Sequence, residues 1–265
     1  MIKLLKGDCL ELLPEIETGS VDCIITDPPY GTTACKWDTV IPFEPMWEEI
    51  NRVIKSNGAT VLFGSEPFSS ALRMSNIKNY KYDWIWEKSK GSNFVHANFQ
   101  PLKVHEIISV FSFGGSAQGS KNPIIYNPQY KEGKPYNKGI GHNNINTLNG
   151  GLTKSDSIVK INYTGKRCPR SVIYNKTLDS EGRLHPTQKP VALIEYLIKT
   201  YTNENETILD FTIGSGTTAI AAMNIDRNFI GIEKNEEYFN LANERIKNHV
   251  IQKQSENLLD QFMEI

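Results

Sequence analysis

The 265-residue sequence has four cysteines, and none forms a CxxC pair or stands near a histidine at metal-ligand spacing. Cys9, Cys23, Cys35 and Cys168 therefore read as buried free thiols rather than disulfides or zinc ligands, and no metal site is expected. Long apolar runs are also missing. With 39% hydrophobic residues, 22% charged residues and a mean hydropathy of -0.40, the composition fits neither a membrane-spanning nor a disordered chain. The start, Met1-Ile2-Lys3-Leu4-Leu5-Lys6-Gly7-Asp8, turns polar before a signal peptide could form, so a cytoplasmic protein is expected. What remains is a globular protein with one α/β domain, or one domain carrying a large insertion.

Excess charge is absent as well, since the net charge is -1, but that sum hides a segregation. Residues 112–190 hold twelve Lys and Arg against four Asp and Glu, whereas residues 1–111 hold eleven against fourteen and residues 191–265 six against twelve. The basic stretch is either a solvated loop or a phosphate-binding surface, with Lys121, Lys131, Lys134, Lys138, Lys166, Arg167 and Arg170 as the candidate contacts.

The first 111 residues alternate short apolar runs with amphipathic stretches, the pattern of parallel strands joined by helices. Strands are expected at 21–26, 59–63, 82–86 and 104–113, and a helix from Phe43 to Lys55 that Asn57-Gly58 ends. From Gly114 to Gly165 the periodicity disappears, which marks a functional insertion or a partly disordered segment. A helix after Pro190, a strand at 207–211, a helix through Met223, a strand at 228–232 and a helix from Asn235 to about His249 follow. Trp37, Trp47, Trp84 and Trp86 read as core or cleft wall, and His105-Glu106 as a structural pair.

Two motifs carry chemistry. Gly214-Ser215-Gly216-Thr217-Thr218-Ala219 fits G-x-G-x-x-[GA] between a strand and a helix, where glycine lets a ligand approach the helix N-terminus. Glu233, nineteen residues after Gly214, ends the next strand and can accept from both hydroxyls of a ribose. That pairing suits an adenosine-containing cofactor, NAD or S-adenosylmethionine alike. The second motif, Asp27-Pro28-Pro29-Tyr30, follows a strand. An exocyclic amine on a nucleobase is a poor nucleophile, because its lone pair is delocalised into the ring. Asp27 and the Pro28 carbonyl offer acceptors for its two hydrogens, Pro29 locks the chain, and Tyr30 offers a stacking face for a base rotated out of its duplex.

Together these residues resemble the DNA methyltransferases that modify adenine N6 or cytosine N4. Gly7-Asp8-Cys9-Leu10-Glu11-Leu12-Leu13 is similar to the family's strand-end motif near the cofactor adenine, and Asp27-Pro28-Pro29-Tyr30-Gly31 to its catalytic motif. His185-Pro186-Thr187-Gln188-Lys189-Pro190 is similar to its methionine-binding motif, and Asp210-Phe211-Thr212-Ile213-Gly214-Ser215-Gly216-Thr217-Thr218 to its glycine loop. The order, catalytic motif before glycine loop, resembles the permuted beta group. The resemblance implies a Rossmann-like α/β methyltransferase fold with a largely parallel sheet, S-adenosylmethionine as cofactor and duplex DNA as substrate. It divides the chain into a catalytic half (1–113), a loop-rich target-recognition insertion (114–184) and a cofactor-binding half (185–265). It also raises a homodimer and a cognate restriction endonuclease as partners. The family's glycine loop usually reads Asp-Pro-Phe-x-Gly-x-Gly, so the aromatic here stands one place early. Asp27, where cytosine-N4 enzymes more often have serine, favours adenine. The remaining alternatives are an RNA or protein-amide methyltransferase, a DNA-binding protein without activity, and an NAD-dependent oxidoreductase.

Overall fold

The segment Val21–Thr26 is buried at every position, as a strand covered on both faces must be, and its side chains divide between two cores with period two. Cys23 and Ile25 enter one core and Ile24 the other, and the neighbouring strand repeats the pattern with Ala59, Val61 and Phe63 against Leu62. The computed structural model describes residues 1–32, 38–141, 158–177 and 188–263. In chain order the elements begin β1 (Ile2–Lys6), α1 (Cys9–Leu12), β2 (Val21–Thr26), α2 (Phe43–Val53), β3 (Ile54–Gly64), α3 (Phe68–Ser75), β4 (Tyr80–Ser92) and β5 (Lys103–Phe111). They continue with β6 (Tyr136–Gly141), β7 (Ile158–Asn162), β8 (Val172–Asn175), α4 (Val191–Tyr201), β9 (Thr207–Asp210), α5 (Thr217–Asn224), β10 (Asn228–Glu233) and α6 (Glu236–Met263).

Eight strands form one sheet in the order β1-β10-β9-β2-β3-β5-β4-β8, parallel except where β5 pairs antiparallel with β3 and β4. This corrects the expectation of parallel strands throughout the first 111 residues. No helix crosses over between β4 and β5, and a direct connection between neighbours forces an antiparallel pair. Helices α4 and α5, with Ala242 and Ile246 of α6, cover one face; α1, α2 and α3 cover the other. On α4 the residues Leu193, Ile194, Leu197, Ile198 and Tyr201 form the buried stripe, each large apolar side chain contributing roughly 1.5–3 kcal/mol. The buried Tyr201 hydroxyl is satisfied by the Trp84 indole N–H at 2.6 Å.

Several local expectations shift. Helix α2 ends at Val53, before Asn57-Gly58, and Gly58 lies within β3, where an added Cβ would come 2.6 Å from the Asp22 carbonyl. The last helix runs on to Met263. Cys9 and Cys23 are buried free thiols, but Cys168 is exposed, and Cys35 lies outside the described residues, as does Trp37. The other three tryptophans belong to the cores. Among the described residues, no helix is long and apolar enough to cross a membrane and no cluster of His, Cys, Asp and Glu could hold a metal.

The chain forms two compact units, one made of Met1–Asn127 with Ser171–Ile265 and the other of Pro128–Arg170. The second is narrower than the segment drawn at 114–184. Ile124 is buried in a core of the first unit, the Asn127 N–H donates to the Thr200 carbonyl at 2.7 Å, and β8 joins the large sheet. The second unit contains the antiparallel pair β6–β7, so the aperiodic stretch is partly ordered. Its backbone is tied by reciprocal Lys131–Arg167 hydrogen bonds of 3.0 and 2.8 Å. Two glycines allow this approach, since a Cβ on Gly165 (φ +74°) would lie 2.0 Å from the Gly133 carbonyl oxygen.

Candidate active site

From the adjacent parallel strands β2 and β9 the chain departs to opposite faces, through α2 and through α5. Such a switch point leaves a crevice beyond the carboxyl ends of the strands. A cavity of about 720 Å³ lies there. Its wall includes Asp8, Cys9, Asp27, Gln188, Lys189, Asp210, Phe211, Thr212, Gly214, Ser215, Thr217, Thr218 and Glu233, which the sequence singles out, together with Pro29 of the catalytic motif. Pro28 is buried. His185 and Thr187 lie outside the described residues.

Each motif residue is held by a traceable contact. Asp8 caps α1 by accepting the Leu10 N–H at 2.9 Å and pairs with Lys234 at 2.8 Å, which lowers its pKa. Burial raises the Cys9 thiol to about 11, so it stays protonated. Gly214 (φ +51°) and Gly216 (φ +77°) both take the left-handed conformation as the chain turns into α5, and a Cβ on Gly216 would press on Ala242 at 3.1 Å. Arg245, from α6, braces this turn by donating to the Ser215 carbonyl at 3.0 Å and to Thr217 Oγ1 at 3.1 Å. No motif in the sequence announces it. Glu233 accepts the Gly214 N–H at 2.9 Å through one oxygen and the Asn235 N–H at 2.8 Å through the other. Each oxygen keeps a lone pair for a further donor, and burial raises the pKa of this carboxyl.

Asp210 lines the cavity and is held from within the fold. It accepts from the hydroxyl of Thr26, from the Thr212 N–H at 3.1 Å and from Thr218 Oγ1 at 2.6 Å, and burial raises its pKa to about 6. Phe211 is buried in the core, and Thr212 occupies the place where the family usually has phenylalanine. Thr212 Oγ1 donates to the Asp27 carbonyl at 3.1 Å, so the altered loop ties the glycine turn to the catalytic motif.

The carboxylate of Asp27 is engaged at both oxygens: Tyr30 donates its hydroxyl to Oδ1, and Lys189 Nζ stands 2.5 Å from Oδ2. The Tyr30 ring stacks on Phe68 at a centroid distance of 5.1 Å, so one of its faces is already covered. Buried Lys189 also lies 3.2 Å from Glu106 Oε2 and 5.1 Å from the Phe63 ring centroid, and Glu106 pairs on its far side with Lys88. The ion-pair chain is thus Lys88–Glu106–Lys189–Asp27. Burial raises the Asp27 pKa despite the opposing pull of Lys189, and the charge of Glu106 adds to the rise. Glu106 itself stays low, because its two lysines outweigh its burial. The two carboxylates keep the Lys189 pKa high, so it remains charged. The structural reading of His105-Glu106 is corrected here: Glu106 turns in to the site while His105 is exposed. An isolated acid on an apolar strand was the available signal, since burying a charge requires a partner.

The basic candidates divide. Lys121 lies in the first unit and is exposed; Lys131, Lys134, Lys166 and Arg170 are exposed in the second. Lys166 stands over the Tyr130 ring at 5.7 Å. Arg167 is spent on its own unit, donating to the Gly165 carbonyl at 2.8 Å and to the Lys134 carbonyl while covering Tyr136 at 4.7 Å. The side chain of Lys138 lies outside the described residues.

Comparison with known proteins gives this arrangement a family. The type II methyltransferase M1.MboII of Moraxella bovis is 28% identical over 259 residues, covering 91% of this chain and 95% of its own length. M.HinfI of Haemophilus influenzae is 28% identical over 274 residues, covering 92% and 68%. Among solved structures, the M1.HpyAVI–SAM complex is 25% identical with a TM-score of 0.59, covering 92% of this chain and all of that one. The PvuII cytosine-N4-specific DNA methyltransferase shares the fold, with a TM-score of 0.62 at 16% identity and coverages of 94% and 90%. Residues 21–244 match the family model described as DNA methylase, and the chain belongs to that family of N6 and N4 DNA methyltransferases.

Proposed function

We propose that the protein transfers a methyl group from S-adenosylmethionine to adenine N6 in duplex DNA. The observation that carries this reading is a half-buried, lysine-paired carboxylate, Asp27, on the wall of a cavity that also holds a glycine turn and the Glu233 carboxylate. About 720 Å³ is ample for a nucleoside with an amino-acid arm, and the donor set fits it. Glu233 would accept the ribose hydroxyls, the Gly214–Thr218 turn would take the close approach of the cofactor, and Gln188 and Lys189 would face its carboxylate. S-adenosylmethionine supplies an electrophilic methyl on sulfur. Asp27 and the Pro28 carbonyl hold the amine hydrogens of the flipped base and concentrate its lone pair on nitrogen, and Asp27, raised by burial, is suited to receive the proton released on transfer. Lys189 holds the carboxylate in place, and the Tyr30 ring would stack on the base. Asp rather than Ser at position 27 favours adenine over cytosine. The setting is a cytoplasmic restriction–modification system, with exposed lysines of residues 128–170 on the phosphates and target choice made there; the homodimer and the cognate endonuclease belong to the same proposal.

Labelled S-adenosylmethionine and unmethylated duplex DNA, followed by nucleoside digestion and mass spectrometry, test it. N6-methyladenine is expected. N4-methylcytosine would keep the mechanism and overturn the base, and label on RNA or protein alone would overturn the DNA substrate.

A further inference from the structure

Five large apolar side chains stand exposed within eleven positions at the tip of the β4–β5 hairpin: Phe94 (67%), Val95 (89%), Phe99 (88%), Leu102 (38%) and Val104 (42%). Apolar surface concentrated in this way marks a contact. The tip is an ordered turn. Asn93 takes a left-handed conformation (φ +74°), the N–H groups of His96 and Phe99 donate to Asn93 and His96 carbonyls at 2.9 and 2.8 Å, and Ser92 Oγ donates to the Lys103 carbonyl at 3.2 Å across the base.

Its direction follows from the register. Strand β5 runs antiparallel to β3 with Ile107 opposite Gly64, so the residues before Ile107 extend past the carboxyl end of β3, on the sheet edge from which Asp27 emerges. Glu106 reaches Lys189 at 3.2 Å, and Lys189 reaches Asp27 at 2.5 Å. The tip therefore stands on the same edge as the catalytic carboxylate, beginning about 10 Å beyond Glu106 at the usual strand rise. Residues 88–105 contain three lysines, of which Lys88 is paired with Glu106, together with two histidines and no acid. A polyanion fits that flank better than a second copy of a chain whose net charge is -1.

We propose that this tip is an apolar wedge for duplex DNA, with Phe99 entering the base stack where the target base has rotated out. The inference rests on the DNA-methylation reading. Rotating a base out costs a few kcal/mol of stacking and pairing, and an apolar side chain inserted between base steps restores part of that contact.

The test compares wild type with Phe99→Ala, whose side chain is too exposed to matter for folding. The substrates are duplexes carrying the site mapped from methylated plasmid DNA, one with a fluorescent base analogue at the target and one with the target base mispaired. Phe99→Ala should lose about tenfold or more in kcat/KM on the matched duplex, equivalent to roughly 1.4 kcal/mol, together with the flipped-base fluorescence. Affinity for S-adenosylmethionine should be unchanged, and the mispaired duplex, which costs less to open, should regain most of the rate. Wild-type rate and fluorescence in the variant would overturn the wedge, as would an equal loss on both duplexes. A change of sedimentation from dimer to monomer would assign the tip to a second copy instead. No DNA methylation by wild type would overturn the functional reading, and the wedge with it.

Discussion

Around the cavity, charged side chains are held by other side chains: Asp27 by Lys189 and Tyr30, Lys189 by Glu106, Glu106 by Lys88, and Asp8 by Lys234. Among the described side chains of residues 128–170, Lys131, Lys134 and Lys166 are exposed, and the guanidinium of Arg167 holds its own backbone. On the proposed function, the first arrangement places a few groups for one reaction in a region of low dielectric. The second leaves cations hydrated and interchangeable, as contacts to a repeating phosphate backbone allow. Substitutions should therefore act steeply and singly in the first region, and gradually and in a salt-dependent way in the second.

The largest effect should come from Asp27→Ala, with turnover falling roughly 10³-fold or more, the scale of losing a placed acid–base group. Calorimetry should find S-adenosylmethionine affinity close to wild type, because Lys189 keeps Glu106 as a partner. If cofactor binding fell in step with turnover, the carboxylate would belong to cofactor binding rather than to the target amine. Asp27→Asn, nearly isosteric, separates loss of charge from loss of shape.

Next is Asp210, whose pKa rises from 3.8 to about 6 on burial. Between those values the folded state holds a proton that the unfolded chain has released, so stability falls as pH rises through this window and is level above it. The difference corresponds to roughly 3 kcal/mol. Asp210→Asn should gain on wild type as pH rises from 4 to 6, read from urea midpoints. An unchanged gap would mean that the hydroxyls of Thr26 and Thr218 fully compensate the buried charge.

A smaller effect tests the ion-pair chain. The negative charge of Glu106 raises Asp27, so Glu106→Gln should move the acid limb of the pH–rate profile to lower pH, with S-adenosylmethionine affinity little changed. A purely structural role would lower the rate equally at every pH.

The two regions also differ in how far they were legible in sequence. Contiguous motifs were readable: Asp27 to Tyr30 and Gly214 to Thr218 line or approach one cavity because each follows a strand whose apolar run is plain. Arg245 was not readable and Glu106 was legible only as an isolated acid on an apolar strand, since their partners lie far along the chain and only the fold brings them together. The antiparallel β5 escaped for a related reason, because period two is the same in parallel and antiparallel strands. In the basic region, the pair β6–β7 is short and the turn after β7 is held by Asn162 Oδ1 accepting the Gly165 N–H at 2.7 Å, so no apolar alternation marks it.

The smallest effects should separate the cations of that basic region from one another. Lys131→Ala and Lys134→Ala each remove one exposed charge, and each should lower the slope of log binding constant against log salt by about one, with a few-fold loss of duplex affinity at physiological salt. Turnover at saturating DNA should change far less. Arg167→Ala should behave differently, because it removes the donors to the Gly165 and Lys134 carbonyls and the cover of Tyr136. Its signature should be faster amide exchange in residues 128–170, with DNA affinity lost by more than one phosphate contact explains. If all three variants moved the salt slope alike and left exchange unchanged, Arg167 would be another phosphate contact. Order in this unit would then rest on its glycine-mediated backbone approach alone.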